Sequence, residues 1–309
     1  MVLSVVFSFR NEEPGLKELI GRVQRVMRSM GMDYEILFVN DDSTDRSLEI
    51  LMEQREADRR IRIINMSRRF GVSPCVIAGL KHSRGDAVVY MDTDLQDPPE
   101  IIPLLVEKWR AGADVVNTVR TKRLGENPFR MWLTRRAYNI INSISEIDLP
   151  ENMGDFKLLS RRVVDEVVGL NEHDPFMRGL VRWVGFRQET VFYTREARYS
   201  GETHFSLFGG GPVREFIRGL TSYSSAPLFI ALGSGLIVSL ISFVSILTAL
   251  VRLFMGLRVP GWAVVLMATL FLGGLILLTN GFLGLYVGRM YTQVKNRPLF
   301  IIRDKIGFD

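Results

Sequence analysis

The densest run of chemistry-bearing residues is Asp92-Thr93-Asp94-Leu95-Gln96-Asp97, directly after the apolar run 87–91. Two carboxylates two residues apart, where an extended segment ends, can turn toward one ion. Oxygen donors of this kind suit Mg2+ or Mn2+, which keep several waters and take further ligands from substrate phosphates. Such an ion would act as a Lewis acid on a departing diphosphate. The metal-ligand expectation therefore falls on Asp92, Asp94 and Gln96. Asp97 precedes Pro98 and Pro99 and reads instead as the N-cap of a helix.

A second acidic group, Asp41, Asp42 and Asp45 in VNDDSTD, follows the apolar run 34–39. Carboxylates here can accept hydrogen bonds from a base N–H or from ribose hydroxyls. Asp45 is better explained as a helix cap, Asp41 as a ligand contact. Arg120, Arg123 and Arg130 lie in and beside the loop TKRLGEN. Guanidinium groups grip phosphate bidentately and stay charged. The same arginines would also suit a solvated surface or anionic lipid headgroups. Asp155, between Gly154 and Phe156, reads equally well as a carboxylate that orients or deprotonates an acceptor and as a helix N-cap.

Positioning these residues requires a sheet. Apolar runs at 3–9, 34–39, 61–66, 87–91 and 115–119 alternate with helical periodicity at 16–30, from about 45, at 73–83 and after Pro98. Strand–helix alternation implies an α/β fold with a mainly parallel, doubly wound sheet. In such sheets ligands bind beyond the carboxyl ends of the strands, where the acidic groups and Arg120 fall. The run 3–9 is too short for a signal-peptide core and lacks a preceding basic stretch. The single cysteine, Cys75, excludes an intrachain disulfide and a CxxC site.

The last third differs. No charged residue occurs in 219–251 or in 259–288, and each window exceeds the roughly 20 residues that span a bilayer. Together they predict a two-helix transmembrane hairpin. Residues 205–225 read as an amphipathic helix lying on the membrane surface. The outer flanks carry Arg214, Arg218, Arg289, Lys295, Arg297, Arg303 and Lys305, whereas the connecting loop has only Arg252 and Arg258. Flanking positive charge therefore places both termini and the large domain in the cytoplasm, at the inner membrane. The expected division is a catalytic domain 1–204, a juxtamembrane segment 205–225, a hairpin 226–288 and a cytoplasmic tail 289–309. Gly284 and Gly288 would let helices pack closely, within one chain or in a homo-oligomer. The 39 Lys and Arg against 34 Asp and Glu give a formal charge of +5. That suits an anionic lipid or a phosphorylated substrate, and without a long basic block no nucleic-acid partner is expected.

The ordered motifs NEE (11–13), VNDDSTD, SRRFG (67–71), AGL (78–80), GDAVVYMDTDLQDPPE (85–100), GDFKLLSRR (154–162) and FMRGLVRWVGF (176–186) resemble glycosyltransferase family 2. The likeness is to its polyisoprenyl-phosphate glycosyltransferases, among them dolichyl-phosphate mannose synthases and bactoprenol glucosyltransferases. It extends over nearly the whole chain, including both apolar windows. The resemblance implies a GT-A fold and inverting transfer of one sugar from a nucleotide sugar, UDP-glucose first, to polyprenyl phosphate. By position it implies a metal and donor-phosphate site at Asp92, Asp94 and Gln96, a base contact at Asp41 and a diphosphate contact at Arg198. It likewise implies a catalytic Asp155 and lipid-phosphate contacts at Arg120 and Arg130. The chain departs from the pattern with Asp42 for a glycine, Thr93 for an alanine and His204 for a lysine. A processive polysaccharide synthase would need a QxxRW-type motif, where Gly179 stands here, and more spans. A non-catalytic membrane scaffold would not need the acidic and arginine sets.

Overall fold

The computed structural model describes residues 1–122, 153–170, 172–173, 175–194 and 261–308, with single positions between 233 and 255. Its elements divide into two units.

The first unit is an eight-stranded sheet in the order β7-β5-β6-β4-β1-β2-β3-β8, with helices between the strands. The strands are β1 (Val2–Phe9), β2 (Asp33–Asn40), β3 (Ile61–Met66), β4 (Ala87–Asp92), β5 (Val115–Lys122), β6 (Met153–Ser160), β7 (Gln188–Thr194) and β8 (Ile302–Ile306). The helices are α1 (Leu16–Met30), α2 (Ser47–Ala57), α3 (Val72–His82), α4 (Ile102–Arg110), α5 (Arg161–Gly169) and α6 (Met177–Trp183). Only β6 and β8 run against the other strands. The mainly parallel α/β sheet expected from the alternating pattern is thus present, and the first five expected strands are its first five.

The central strands are buried on both faces, so they read as unbroken apolar runs rather than alternating ones. Phe7 and Phe38 stack at 5.0 Å between ring centroids in the register that pairs them across β1 and β2. Leu16, Leu19, Ile20, Val23 and Met27 recur every three or four residues and give α1 one face to bury against the sheet. On the other face α3 comes so close to β1 that a Cβ on Gly79 would lie 2.3 Å from Val6 Cγ1. The glycine of the AGL motif therefore sets how near α3 sits.

Two elements were not legible beforehand. β6 is inserted antiparallel between β4 and β5 and carries Asp155. β8 comes from the stretch read as a tail: it pairs antiparallel with β3, and residues 297–309 belong to the sheet's unit.

The second unit contains α7 (Gly261–Val294). Among the described residues one helical stretch, Phe271–Val294, is long and apolar enough to cross a membrane. The described positions from 233 to 254 are also helical. The amphipathic segment expected at 205–225 lies outside the described residues.

Candidate active site

The acidic motif occupies the end of β4 and the turn after it. Asp92, Asp94 and Gln96 are partly accessible, and they alternate with buried Thr93, Leu95 and Asp97. The three expected ligands therefore share the outer side of the turn. Asp94 also accepts a hydrogen bond from the Gln96 backbone N–H at 3.1 Å, and Leu95 takes a left-handed φ of 57° that tightens the turn.

Asp97 is a correction. The short 3-10 turn Pro99–Ile101 is preceded by Pro98, with no side-chain cap, so Asp97 caps nothing. Its carboxylate is buried and accepts from Arg120 Nη2 at 3.1 Å and from the Tyr193 hydroxyl. Arg120 Nε donates to Tyr193 Oη at 3.1 Å. Burial of an arginine costs free energy unless its charge is matched, and Asp97 matches it. The guanidinium lies over Gly154, where a Cβ would meet Nη2 at 3.3 Å. Gly154 therefore gives Arg120 its place beside Asp155.

Asp155 lies inside β6, and the next helix begins only at Arg161 after Ser160, so the N-cap reading of Asp155 is overturned. The antiparallel register that pairs Tyr90 with Lys157 carries Asp155 toward the end of β4, where Asp92 stands. Arg178, on α6, holds both Asp155 oxygens, with Nε at 2.9 Å and Nη2 at 2.5 Å. Burial pushes the Asp155 carboxyl upward, but the Arg178 charge and its hydrogen bonds outweigh it and hold the group below the usual range. Asp155 is thus an ionised carboxylate, 31% exposed.

Asp92 is the opposite case. Burial, then repulsion from Asp155, Asp97 and Asp94, pushes its carboxyl up to about 7. Among the described residues no three His, Cys, Asp or Glu side chains form a ready-made metal cage. Two partly accessible carboxylates and an amide on one side of the turn, with the Asp92 carboxyl pushed up by its acidic neighbours, fit Mg2+ or Mn2+, which bind through one or two carboxylates and leave room for phosphates.

Behind Asp155 lies a fully buried lysine. Lys157 Nζ donates to Asn117 Oδ1 at 2.8 Å, directly across the β5–β6 register. Burial pushes this amine down to about 7, against the pull of Asp155.

On the other side of the acidic turn, Asp41 is buried at the end of β2. Its oxygens accept from the backbone N–H groups of Phe70 at 2.6 Å and Gly71 at 3.0 Å. Asp41 therefore pins the SRRFG loop. Asp42, the first residue past it, has φ of 59°, a region open to glycine and tolerated by Asp. Asp45 precedes the N-cap position of α2, Arg46, and accepts from the Ser47 N–H at 3.1 Å and the Glu13 N–H at 3.2 Å, so it ties the α2 start to the chain after β1 rather than capping the helix.

The model of the family described as Glycosyl transferase family 2 matches residues 4–168, from β1 through Asp155 into α5. The chain belongs to glycosyltransferase family 2. It is 40% identical over 311 residues to the uncharacterized glycosyltransferase YkcC of Bacillus subtilis, covering 99% of this chain and 94% of that one. It is 38% identical over 305 residues to the bactoprenol glucosyl transferase of Shigella phage SfII, covering 98% of each. Among solved structures it is similar to glucosyl-3-phosphoglycerate synthase from Mycobacterium tuberculosis in complex with Mn2+, UDP and phosphoglyceric acid. That likeness has a TM-score of 0.48 at 19% identity, over 72% of this chain and 78% of that one.

In this family 2 glycosyltransferase the described structure brings Asp92, Asp94, Gln96, Asp155 and Arg120 to one region of the sheet's edge, with Asp41 at the end of β2, two strands from β4. Arg123, Arg130, Arg198 and His204 lie outside the described residues. Sequence reading missed Arg178, Lys157 and Tyr193. Arg178 and Arg182 stand four apart in the FMRGLVRW motif, which signalled one helix face but not the carboxylate it meets.

Proposed function

We propose that this glycosyltransferase moves one hexose from a nucleoside diphosphate sugar, UDP-glucose first, to polyprenyl phosphate at the cytoplasmic face of the membrane, with inversion at the sugar carbon. The observation that carries this reading is an ionised Asp155, gripped by Arg178, beside an acidic turn that invites a cation. The relative named as a bactoprenol glucosyl transferase, matched over 98% of both chains, supports the lipid acceptor.

Asp92, Asp94 and Gln96 would hold Mg2+ or Mn2+. That ion would supply neutralisation of the diphosphate leaving group. Asp41 keeps the SRRFG loop in place around the nucleotide base, and Arg198 contacts the diphosphate. Arg120, Arg123 and Arg130 steady the lipid phosphate. An oxygen of that phosphate attacks the sugar carbon as the bond to the diphosphate breaks, releasing nucleoside diphosphate. The lipid phosphate needs little deprotonation near neutral pH, so Asp155 chiefly orients it and accepts whatever proton it still carries.

Chain connectivity supports a multi-pass arrangement. The chain leaves the sheet after β7 and returns as β8, hydrogen-bonded to β3. A sheet does not straddle a bilayer, so this pairing favours an even number of crossings between β7 and β8. With α7 as one crossing, the sequence window 219–251 is the candidate for the other by its length and lack of charge.

A panel of UDP- and GDP-sugars offered to the purified full-length enzyme with a short polyprenyl phosphate tests the donor. UDP-glucose should give the highest kcat/KM. Preference for another sugar would overturn the donor assignment, and no lipid product with any donor would overturn the acceptor.

A further inference from the structure

A row of polar side chains crosses β2, β3 and β8 at the carboxyl edge of the parallel strands. Asn40 ends β2 and pairs with Asn65 of β3, which pairs with Asp304 of β8. Asn65 Nδ2 donates to Asp304 Oδ1 at 2.6 Å, Asn40 Nδ2 donates to Asn65 Oδ1 at 3.0 Å, and the Ser43 backbone N–H donates to Asn40 Oδ1 at 2.9 Å. From there the network closes on the first strand. Asn11 N–H donates to Ser43 Oγ at 3.1 Å, and Thr44 N–H donates to Asn11 Oδ1 at 2.8 Å.

The row has a direction. Asp304, as a carboxylate, only accepts, and the Ser43 N–H only donates. Between two such ends each amide has one orientation that satisfies every contact. Asn40 and Asn65 are almost wholly buried, so an amide turned the wrong way would leave polar atoms unpaired at the full cost of desolvation. The strand register also favours Asp304. Asn65 faces Asp304 while Met66 faces Ile302, which leaves Arg303 as the extra residue of a bulge. Bulges re-aim the side chain beside them. The segment is anchored as well, with the Ser67 N–H donating to the Ile301 carbonyl at 2.9 Å and Phe300 and Phe308 packed against Val39, Cys75 and Ala78.

We infer that Asp304, on the strand that follows the apolar helix, is a positioning residue for the Asn40–Thr44 loop. It acts by fixing the polarity of the Asn65–Asn40 relay that holds Ser43. This rests on the reading of that loop as part of the nucleotide site. It makes the C-terminal strand a working part of the donor pocket, and it gives a reason for the chain to return from the second unit to the sheet.

The test uses full-length enzyme and two probes, UDP and GDP, each with Mn2+, in calorimetry. Asp304 is exposed on an edge strand, so its variants should fold. Asp304→Asn keeps an acceptor and should bind nucleotide as wild type does. Asp304→Leu removes the acceptor and should weaken binding roughly threefold. Asp304→Lys presents a donor, sets the row against the Ser43 N–H, and should weaken binding about tenfold, the equivalent of about 1.4 kcal/mol. The KM for polyprenyl phosphate should stay put. Hydrogen exchange over residues 40–45 should quicken in Asp304→Lys without any nucleotide present. Wild-type nucleotide affinity and wild-type exchange in Asp304→Lys would overturn the inference. Faster exchange in Asp304→Lys, with neither nucleotide bound by the wild-type enzyme, would uphold the relay and sink the donor-site reading instead.

Discussion

Arg178 and Asp155 meet as a two-pronged pair, Nε to Oδ1 at 2.9 Å and Nη2 to Oδ2 at 2.5 Å, across 23 residues of sequence. The pair aims the carboxylate and keeps it ionised. Replacing Arg178 by Met should lower kcat by roughly 10²-fold if Asp155 serves as a general base, with nucleotide affinity retained. The sign of the pH effect follows from the depressed Asp155 pKa. Its contribution is present above the ordinary carboxylate range and is lost as pH falls through the folded value. Without Arg178 that value rises, so the acid limb of the kcat profile should move to higher pH. Arg178→Lys keeps the charge and should leave the limb closer to the wild-type position. An unmoved profile in Arg178→Met would assign the pair a purely structural role.

Metal removal gives a second prediction. Asp94→Asn deletes an anionic ligand and should abolish transfer and weaken Mn2+-dependent donor binding. With Asp92 pushed up to about 7, protons compete with the ion, so Mn2+ affinity should rise from pH 6 to pH 8 and then level off. Turnover in EDTA at the untreated rate would contradict the metal site.

Lys157 supplies a stability prediction. Its amine is pushed from 10.5 down to about 7 by burial. Between those values the unfolded chain carries a proton that the folded one lacks, so this group's contribution to stability increases as pH rises from about 7 toward 10. Wild-type denaturant midpoints should show that slope and Lys157→Met should lack it. Equal slopes would mean that Lys157 stays charged beside Asn117 and Asp155.

The proposed topology is tested with tags. Because β8 is paired to β3, tags at residues 1 and 309 should be equally accessible from the cytoplasm, and a tag between residues 255 and 260 should be accessible from outside. Opposite accessibility of the two termini to an impermeant label would contradict an even number of crossings.

The parallel part of the fold was legible because strands buried on both faces write apolar runs into the sequence, as 3–9, 34–39 and 87–91 do. β6 was not, because its run is broken by Asp155 and Lys157, whose burial depends on Arg178 and Asn117 far along the chain. β8 was hidden by charge, since three of the five residues in IRDKI are ionisable and an edge strand needs little apolar surface. At the site, the DTDLQ turn was readable from local chemistry. Asp97 was not: DPP is a good local cap signal, and only the fold brings Arg120 and Tyr193 to it. Of the two apolar windows, the second announced its helix, α7, by length alone.

The most direct measurement is transfer by purified wild type and Asp155→Asn, with Mn2+, nucleotide sugar and a polyprenyl phosphate, read by mass spectrometry of the lipid. The wild type should give lipid phosphate carrying one hexose and one equivalent of nucleoside diphosphate. Asp155→Asn should give little of either while still binding nucleotide by calorimetry. Lipids bearing growing sugar chains, free sugar without lipid product, or undiminished transfer by Asp155→Asn would contradict the account.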